Sequence, residues 1–417
     1  MTLLGELRRR RLALLAVLAT CLVAPFAFLP YRVDDTINRT WAKLSWGDAI
    51  SQAWDLQRAW MDVQGRFFPG SSIYGLFVWR TFDSRIAYQT FVAILCLACI
   101  VLTGFIIRGF TKSADVAVVG VSALAACTQI RWWSYDGLSS FSGLVPWTLL
   151  LTLAAGAGAA VVLRTGHRRW AVLVTIAWAL AVTGYEVSLL MLPAMILLLV
   201  IAAPGAPRRR LAWALGPLVI VGAVQFIVSM VLHARATGLA PAYMLTPDGP
   251  VGTTFLKQFT AALPSSQYWL GGVPDGVSLD GVLVVLLVVC IAAPVFVAWG
   301  VRASFSAVAV PRRIAVALLC AGAWAWVVPS LLAALTFRWQ QELIPGQGYI
   351  YLPYEYVGVA MVVAGAVALL AGPDRPRWMR TTATVVLAVL LIGAVVAIAS
   401  NIAFAGALVP GPANAFA

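Results

Sequence analysis

Uncharged apolar runs of about 20 residues recur along the chain, the length an α-helix needs to cross a bilayer core roughly 30 Å thick. Nine are plain: 12–31, 86–107, 138–163, 187–207, 211–232, 281–301, 314–337, 356–373 and 381–405. Two weaker runs cover 116–130 and 170–185. All are too long and too continuously apolar for β-barrel strands. With 62% hydrophobic and 11% charged residues, a soluble chain of this length would leave too much apolar surface in water. Seventeen Trp residues, many near run ends, fit an aromatic belt at the headgroup level. The expected fold is an all-α membrane protein with about 11 transmembrane helices in one domain, 1–417.

The net charge of +13 does not mark a nucleic-acid protein, because of where it sits. Short loops at 1–11, 108–115, 164–169, 208–210, 302–313 and 374–380 hold 18 of the 29 Lys and Arg but three of the 16 acids, Glu6, Asp115 and Asp374. That side carries +15 and the other −2. The asymmetry predicts those loops, and the N-terminus, in the cytoplasm, with the C-terminus outside. The first apolar run is long for a signal peptide and lacks a small-x-small cleavage site, so it reads as a retained helix.

Parity supports the weaker runs. Loops 164–169 and 208–210 are both arginine-rich, so the 38 residues between them must cross and return. This places Tyr185 and Glu186 at a hairpin tip near the outer surface, and the same reasoning puts 131–137 outside. Three longer segments project outward: 32–85, 233–280 and 338–355. Any chemistry is expected on that face, since every cytoplasmic loop is short.

The first outer segment contains an amphipathic helix, 46–63. Trp46, Ala49, Ile50, Ala53, Trp54, Trp60 and Met61 share one face and Asp48, Ser51, Asp55, Arg58 and Asp62 the other. Only Gln57 interrupts the apolar side. Such a helix with aromatic anchors is expected to lie in the membrane interface.

Asp34 and Asp35 follow the first span directly, in FLPYRVDDTINR. Adjacent carboxylates at a membrane surface repel, and need partners or a task; one could serve as a general base or hold a metal. A solvated loop after a helix end is the structural alternative. The order of an Asp pair, an amphipathic helix and Gly65-Arg66-Phe67 before the returning span resembles the GT-C superfamily of membrane glycosyltransferases, bacterial envelope members most. The motif likeness covers about 40 residues, and the topology extends it over the chain. The resemblance implies a sugar taken from a polyprenyl-phosphate donor and passed to a glycan or glycolipid hydroxyl outside the cytoplasmic membrane of a bacterium. Asp34 or Asp35 would be the base or acceptor-binding group. It does not imply a metal; dependence on a divalent cation stays open.

A lipid phosphate leaving group calls for arginine, whose planar fork matches it. Outer candidates are Arg66, Arg131, His233, Arg235, Lys257 and Arg338. Arg338 opens RWQQELIPGQGYIYLPYEY, just after an apolar run, where a lipid-borne phosphate would arrive. An interfacial snorkelling role is its alternative, and a salt bridge to a nearby Asp is that of Arg66. Tyr349 and Tyr351, with Tyr354 and Tyr356, offer aromatic faces for a sugar or belt residues for the bilayer. Tyr135 with Asp136 and Tyr185 with Glu186 repeat an aromatic–acid pair at two hairpin tips, facing an internal cavity or capping helices.

All six Cys lie in apolar runs and read as small packing residues. There is no nucleotide-binding glycine loop and no HExxH, and only His167 and His233 are present. A secondary transporter would carry ionisable groups near the midplane, where these runs are aliphatic. A lipid-linked glycan polymerase or ligase of another fold would place its main loop late in the chain. A scaffold or flippase would give the Asp pair no task.

Overall fold

The computed structural model describes residues 15–32, 34–131, 136–238, 244–271, 305 and 308–408. In chain order the helices are α1 (Leu15–Phe28), α2 (Asp34–Asn38), α3 (Trp46–Gln64), α4 (Pro69–Thr81), α5 (Arg85–Thr111), α6 (Ala114–Cys127), α7 (Leu144–Thr165) and α8 (Arg168–Gly184). They continue as α9 (Leu192–Ala202), α10 (Arg208–Arg235), α11 (Val251–Ala261), α12 (Ser266–Trp269), α13 (Arg312–Leu335), α14 (Phe337–Glu342), α15 (Leu352–Leu370) and α16 (Arg377–Leu408). No strand forms among the described residues beyond a single bridge between Leu245 and Thr336.

Six helices, α5, α7, α10, α13, α15 and α16, are long and apolar enough to cross a membrane. The other expected runs within the described residues are also helical, though shorter: α1, α6, α8, and a 3₁₀ turn leading into α9. The chain is thus an all-α membrane protein with several spans. The expected span 281–301 and the loop 1–11 lie outside the described residues.

Helix starts follow ordinary capping chemistry. Ser45, Ser84 and Ser113 each accept a backbone N–H from the first turn of α3, α5 and α6. The central helix is α15, packed on α13 and α6. A Cβ on Gly322 would lie 2.6 Å from the Gly358 carbonyl oxygen, so α13 and α15 touch backbone to backbone. Lipid gives helices no hydrophobic drive to associate, so such close approach is what binds them. In contrast α10 is peripheral: Ala214, Leu218, Gly222 and Gln225 form its buried seam, while Ile220, Phe226 and Ile227 face outward.

The two ends of the bundle differ chemically. Arg164 donates to the Gly109 carbonyl at 2.7 Å, and Arg210 to the Arg164 carbonyl at 3.3 Å. The arginine-rich ends of α5, α7 and α10 therefore meet, with cations on the terminal carbonyls of α5 and α7. The acidic and aromatic segments gather at the other end, where Arg85 opens α5 by donating to the Phe28 and Leu29 carbonyls.

Three sequence boundaries need correction. Helix α15 starts at Leu352, not 356, so Tyr354 and Glu355 are buried in the helix and not in a loop. Helix α7 starts at Leu144, not 138, because Asp136 builds a turn ahead of it. Helix α10 runs through its arginines at both ends. Charged residues marked the ends of apolar runs, but the backbone continues through them. The apolar face of α3 also divides. Ala49, Ala53 and Gln57 bury against the body, while Trp46, Ile50 and Trp54 point away, each more than half exposed. Small residues let the helix lie close, and the large ones form a stripe at i, i+4 and i+8.

Candidate functional site

The Asp pair begins α2, where first-turn carboxylates suit the helix dipole. The two acids have different surroundings. Asp35 is fully buried and accepts the Tyr88 hydroxyl at 2.9 Å and the Arg32 backbone N–H at 3.2 Å. Asp34 is half-buried and its side chain makes no hydrogen bond or ion pair with another described residue. Burial raises its pKa above the ordinary carboxylate value.

Arg32, unremarked in the sequence, ties this corner together. Its guanidinium donates to the Arg131 carbonyl at 3.0 Å and the Ser139 hydroxyl at 2.7 Å, and lies 3.9 Å from Asp136. Burial lowers its pKa, and the charges of Asp136 and Asp35 oppose that. Asp136 is a turn-builder: it accepts the backbone N–H groups of Leu138 and Ser139 and the Ser139 hydroxyl. Its sequence partner Tyr135 lies outside the described residues.

Arg131 is fully buried. It donates to the carbonyls of Gly346 and Ala261, to Ser266 Oγ and to the Tyr356 hydroxyl. It is a clamp joining the end of α6 to α11, α12 and the loop before α15. Two further side chains hold that loop: Lys257 donates to the Leu343 carbonyl at 2.9 Å, and Gln258 Oε1 accepts the Tyr349 N–H at 2.8 Å.

A second cluster joins residues from distant segments. Arg66 donates to Glu186 at 3.1 Å, and its guanidinium lies over Phe68 at 4.1 Å and Trp60 at 5.4 Å from the ring centroids. Burial lowers its pKa, but Glu186 and the neighbouring Tyr185 outweigh that and raise it above the usual value. Tyr185 faces Tyr351 at 6.5 Å, Tyr351 meets Tyr349 edge-on at 4.9 Å, and Tyr349 lies against Trp339 at 3.7 Å. Arg338 sits over Trp339 at 4.9 Å and pairs with Glu342 one turn on. It borders the cluster from α14.

The two groups adjoin through packed aromatics. Asp35 takes the Tyr88 hydroxyl, Tyr88 lies 4.9 Å from Trp79 of α4, Tyr74 of the same helix stacks on Trp147 at 4.7 Å, and Trp147 packs against Gly184, just before Tyr185. Tyr354 bridges Ser188 at 2.8 Å and Thr148 at 2.9 Å beneath them. The structure thus brings Arg66, Tyr185, Glu186, Tyr349 and Tyr351 together, and sets Asp34, Asp35, Arg131 and Asp136 in the adjoining group. Glu355, like Arg32, is a buried polar residue that no sequence motif announces. Both its oxygens accept Gln258 Nε2 at 3.1 Å, and one accepts Ser330 Oγ at 3.0 Å. Its one signal was a carboxylate against an apolar run. Among the described residues, no three His, Cys, Asp or Glu side chains gather as a metal-binding group.

Comparison with protein-family models, curated proteins and solved structures found no match for this chain.

Proposed function

We propose that the chain is a GT-C-like glycosyltransferase of a bacterial cytoplasmic membrane. It crosses about 11 times, with the N-terminus in the cytoplasm and the C-terminus outside. It moves a sugar from a polyprenyl-phosphate donor to a hydroxyl of an envelope glycan or glycolipid at the outer face. The observation that carries the reading is the division of labour between adjacent acids. Asp35 is held by Tyr88 and Arg32, while Asp34 is a half-buried carboxylate with no described partner and a raised pKa. A base needs a pKa shifted toward the working pH and a proton acceptor not already engaged.

In the reaction, the acceptor oxygen forms a bond to the anomeric carbon and its proton passes to Asp34. The bond from that carbon to the phosphate oxygen breaks, and the polyprenyl phosphate leaves with the electron pair. The Tyr185, Tyr349 and Tyr351 rings supply a wall for the sugar. The test is turnover of a labelled polyprenyl-phosphate sugar by the purified protein in detergent. Release of sugar to an acceptor is expected, with no sealed compartment required.

A secondary transporter is the second reading, and one observation favours it. Glu355 lies within a candidate span, held by Gln258 and Ser330, with no basic side chain at ion-pair distance among the described residues. A transporter would show no chemistry in detergent. A lipid-linked glycan polymerase or ligase would turn over a lipid-linked oligosaccharide in place of a single sugar.

A further inference from the structure

The backbone turn 65–68 is held more firmly than a surface loop requires. Arg66 N–H donates to the Trp60 carbonyl at 2.9 Å. Gln57 takes the Phe68 N–H at 3.2 Å on its oxygen and reaches the Arg66 carbonyl at 3.5 Å with its nitrogen. Gln225 Nε2 donates to the Phe67 carbonyl at 3.1 Å. Both glutamines are 3% exposed and each sits in an otherwise apolar helix seam. A buried amide is costly unless hydrogen-bonded; Gln57 bonds to the turn at both ends, and Gln225 bonds to the turn and, at 3.4 Å, to Ser229 Oγ of its own helix. Gly65 completes the fit: its φ is +64°, and a Cβ there would lie 2.5 Å from His233 Cα.

What this fixed turn presents is one cation. The Arg66 guanidinium rests over Phe68 and Trp60 and meets Glu186 at 3.1 Å, in a pair whose side chains are 24% and 29% exposed. A carboxylate and a phosphate offer an arginine the same acceptor geometry, so Glu186 marks where an incoming anion would bind.

We propose that the turn 65–68 is a preset seat for the phosphate of an isoprenoid lipid, with Arg66 as its anion-binding group. Gln57 and Gln225 are its positioning residues, and Glu186 is a built-in competitor that the ligand displaces. This rests on the glycosyl-transfer reading for the identity of the lipid. The donor is a phosphodiester and the released carrier a phosphomonoester, so charge on the phosphate grows as the sugar leaves. The seat then holds the leaving group more tightly than the donor, which is what lowers a barrier.

The test measures binding by the purified full-length chain in detergent, without turnover, using farnesyl phosphate, farnesol and inorganic phosphate. Farnesyl phosphate is expected to bind and the other two to bind at least about tenfold more weakly. Arg66→Ala should weaken farnesyl phosphate about tenfold or more, and Arg66→Lys less. Gln57→Leu and Gln225→Leu should weaken it severalfold with Arg66 still present. Glu186→Gln is the decisive variant: a competitor's removal tightens binding severalfold. Weaker or unchanged binding in Glu186→Gln would overturn displacement, and wild-type binding in Arg66→Ala, with normal melting, would overturn the seat. Inorganic phosphate binding as well as farnesyl phosphate would overturn the lipid assignment. A chain that binds through Arg66 yet never transfers sugar keeps the seat and loses the glycosyltransferase; transfer without Arg66-dependent binding does the reverse.

Discussion

Asp34→Asn and Asp35→Asn should fail in opposite ways. Asp35 is fully buried, and its carboxylate takes the Tyr88 hydroxyl and the Arg32 N–H. Hydrogen bonds to a charged group contribute roughly 1.5–3 kcal/mol each, and an asparagine oxygen retains part of that. Asp35→Asn should therefore lose about 2–4 kcal/mol of stability, seen as a lower melting temperature in detergent. Asp34 has no described partner to lose, so Asp34→Asn should change stability by less than about 0.5 kcal/mol. The sign of its pKa shift points the same way. Burial raises the folded-state pKa, so the folded protein holds its proton more tightly than the unfolded chain. Stability associated with Asp34 is fully present below the ordinary carboxylate pKa and is lost as pH rises through the raised one. At neutral pH the asparagine variant is thus no less stable than wild type. Transfer from a polyprenyl-phosphate sugar should instead fall about 10²–10⁴-fold, the usual contribution of a general base. The acid limb of the wild-type pH profile should lie above the ordinary carboxylate range and vanish in Asp34→Asn. A variant lacking Asp34 that melts early but transfers sugar normally would refute the division between the two acids.

Two further outcomes test the scaffold. Gly65→Ala forces a left-handed alanine against His233, at about 1–2 kcal/mol for the backbone and 1–3 kcal/mol for the overlap; an unchanged melting temperature would count against the packing of α3 on α10. Replacing Trp46, Ile50 and Trp54 together by Ser removes the outward stripe of α3, at about 1 kcal/mol per half-buried side chain if it lies in lipid. Amide exchange across 46–64 in nanodiscs should rise while α15 stays protected, and equal exchange in both proteins would place the stripe in water.

The helices were readable because each apolar run is a local property. The α8–α9 turn at Tyr185 and Glu186 was readable too, since 38 residues leave room for only one tip between two arginine loops. The site was less so. Arg131 looked like a phosphate ligand at an outer loop, but its acceptors lie 130 to 225 residues further on, and no local pattern announces them. Glu355 is hidden in the sequence because a carboxylate ordinarily ends an apolar span, whereas its partners Gln258 and Ser330 let the helix include it. Gln57 stood out as the single fault in an apolar face, and that fault is the anchor of the turn 65–68. Arg338 drew attention by position, while the i,i+4 spacing to Glu342 was visible and names its partner.

The Arg131 clamp also sets an order of assembly. A chain grows at about 5–20 residues per second, so the Gly346 carbonyl emerges roughly 10–40 s after the guanidinium that needs it. Through that interval α6 and the arginine beyond it must wait, because an unsatisfied charge does not settle in hydrocarbon. The clamp is complete only when Tyr356 of α15 has followed Ala261, Ser266 and Gly346 out, so α15 supplies the final hydrogen bond that a chain stalled before it would lack.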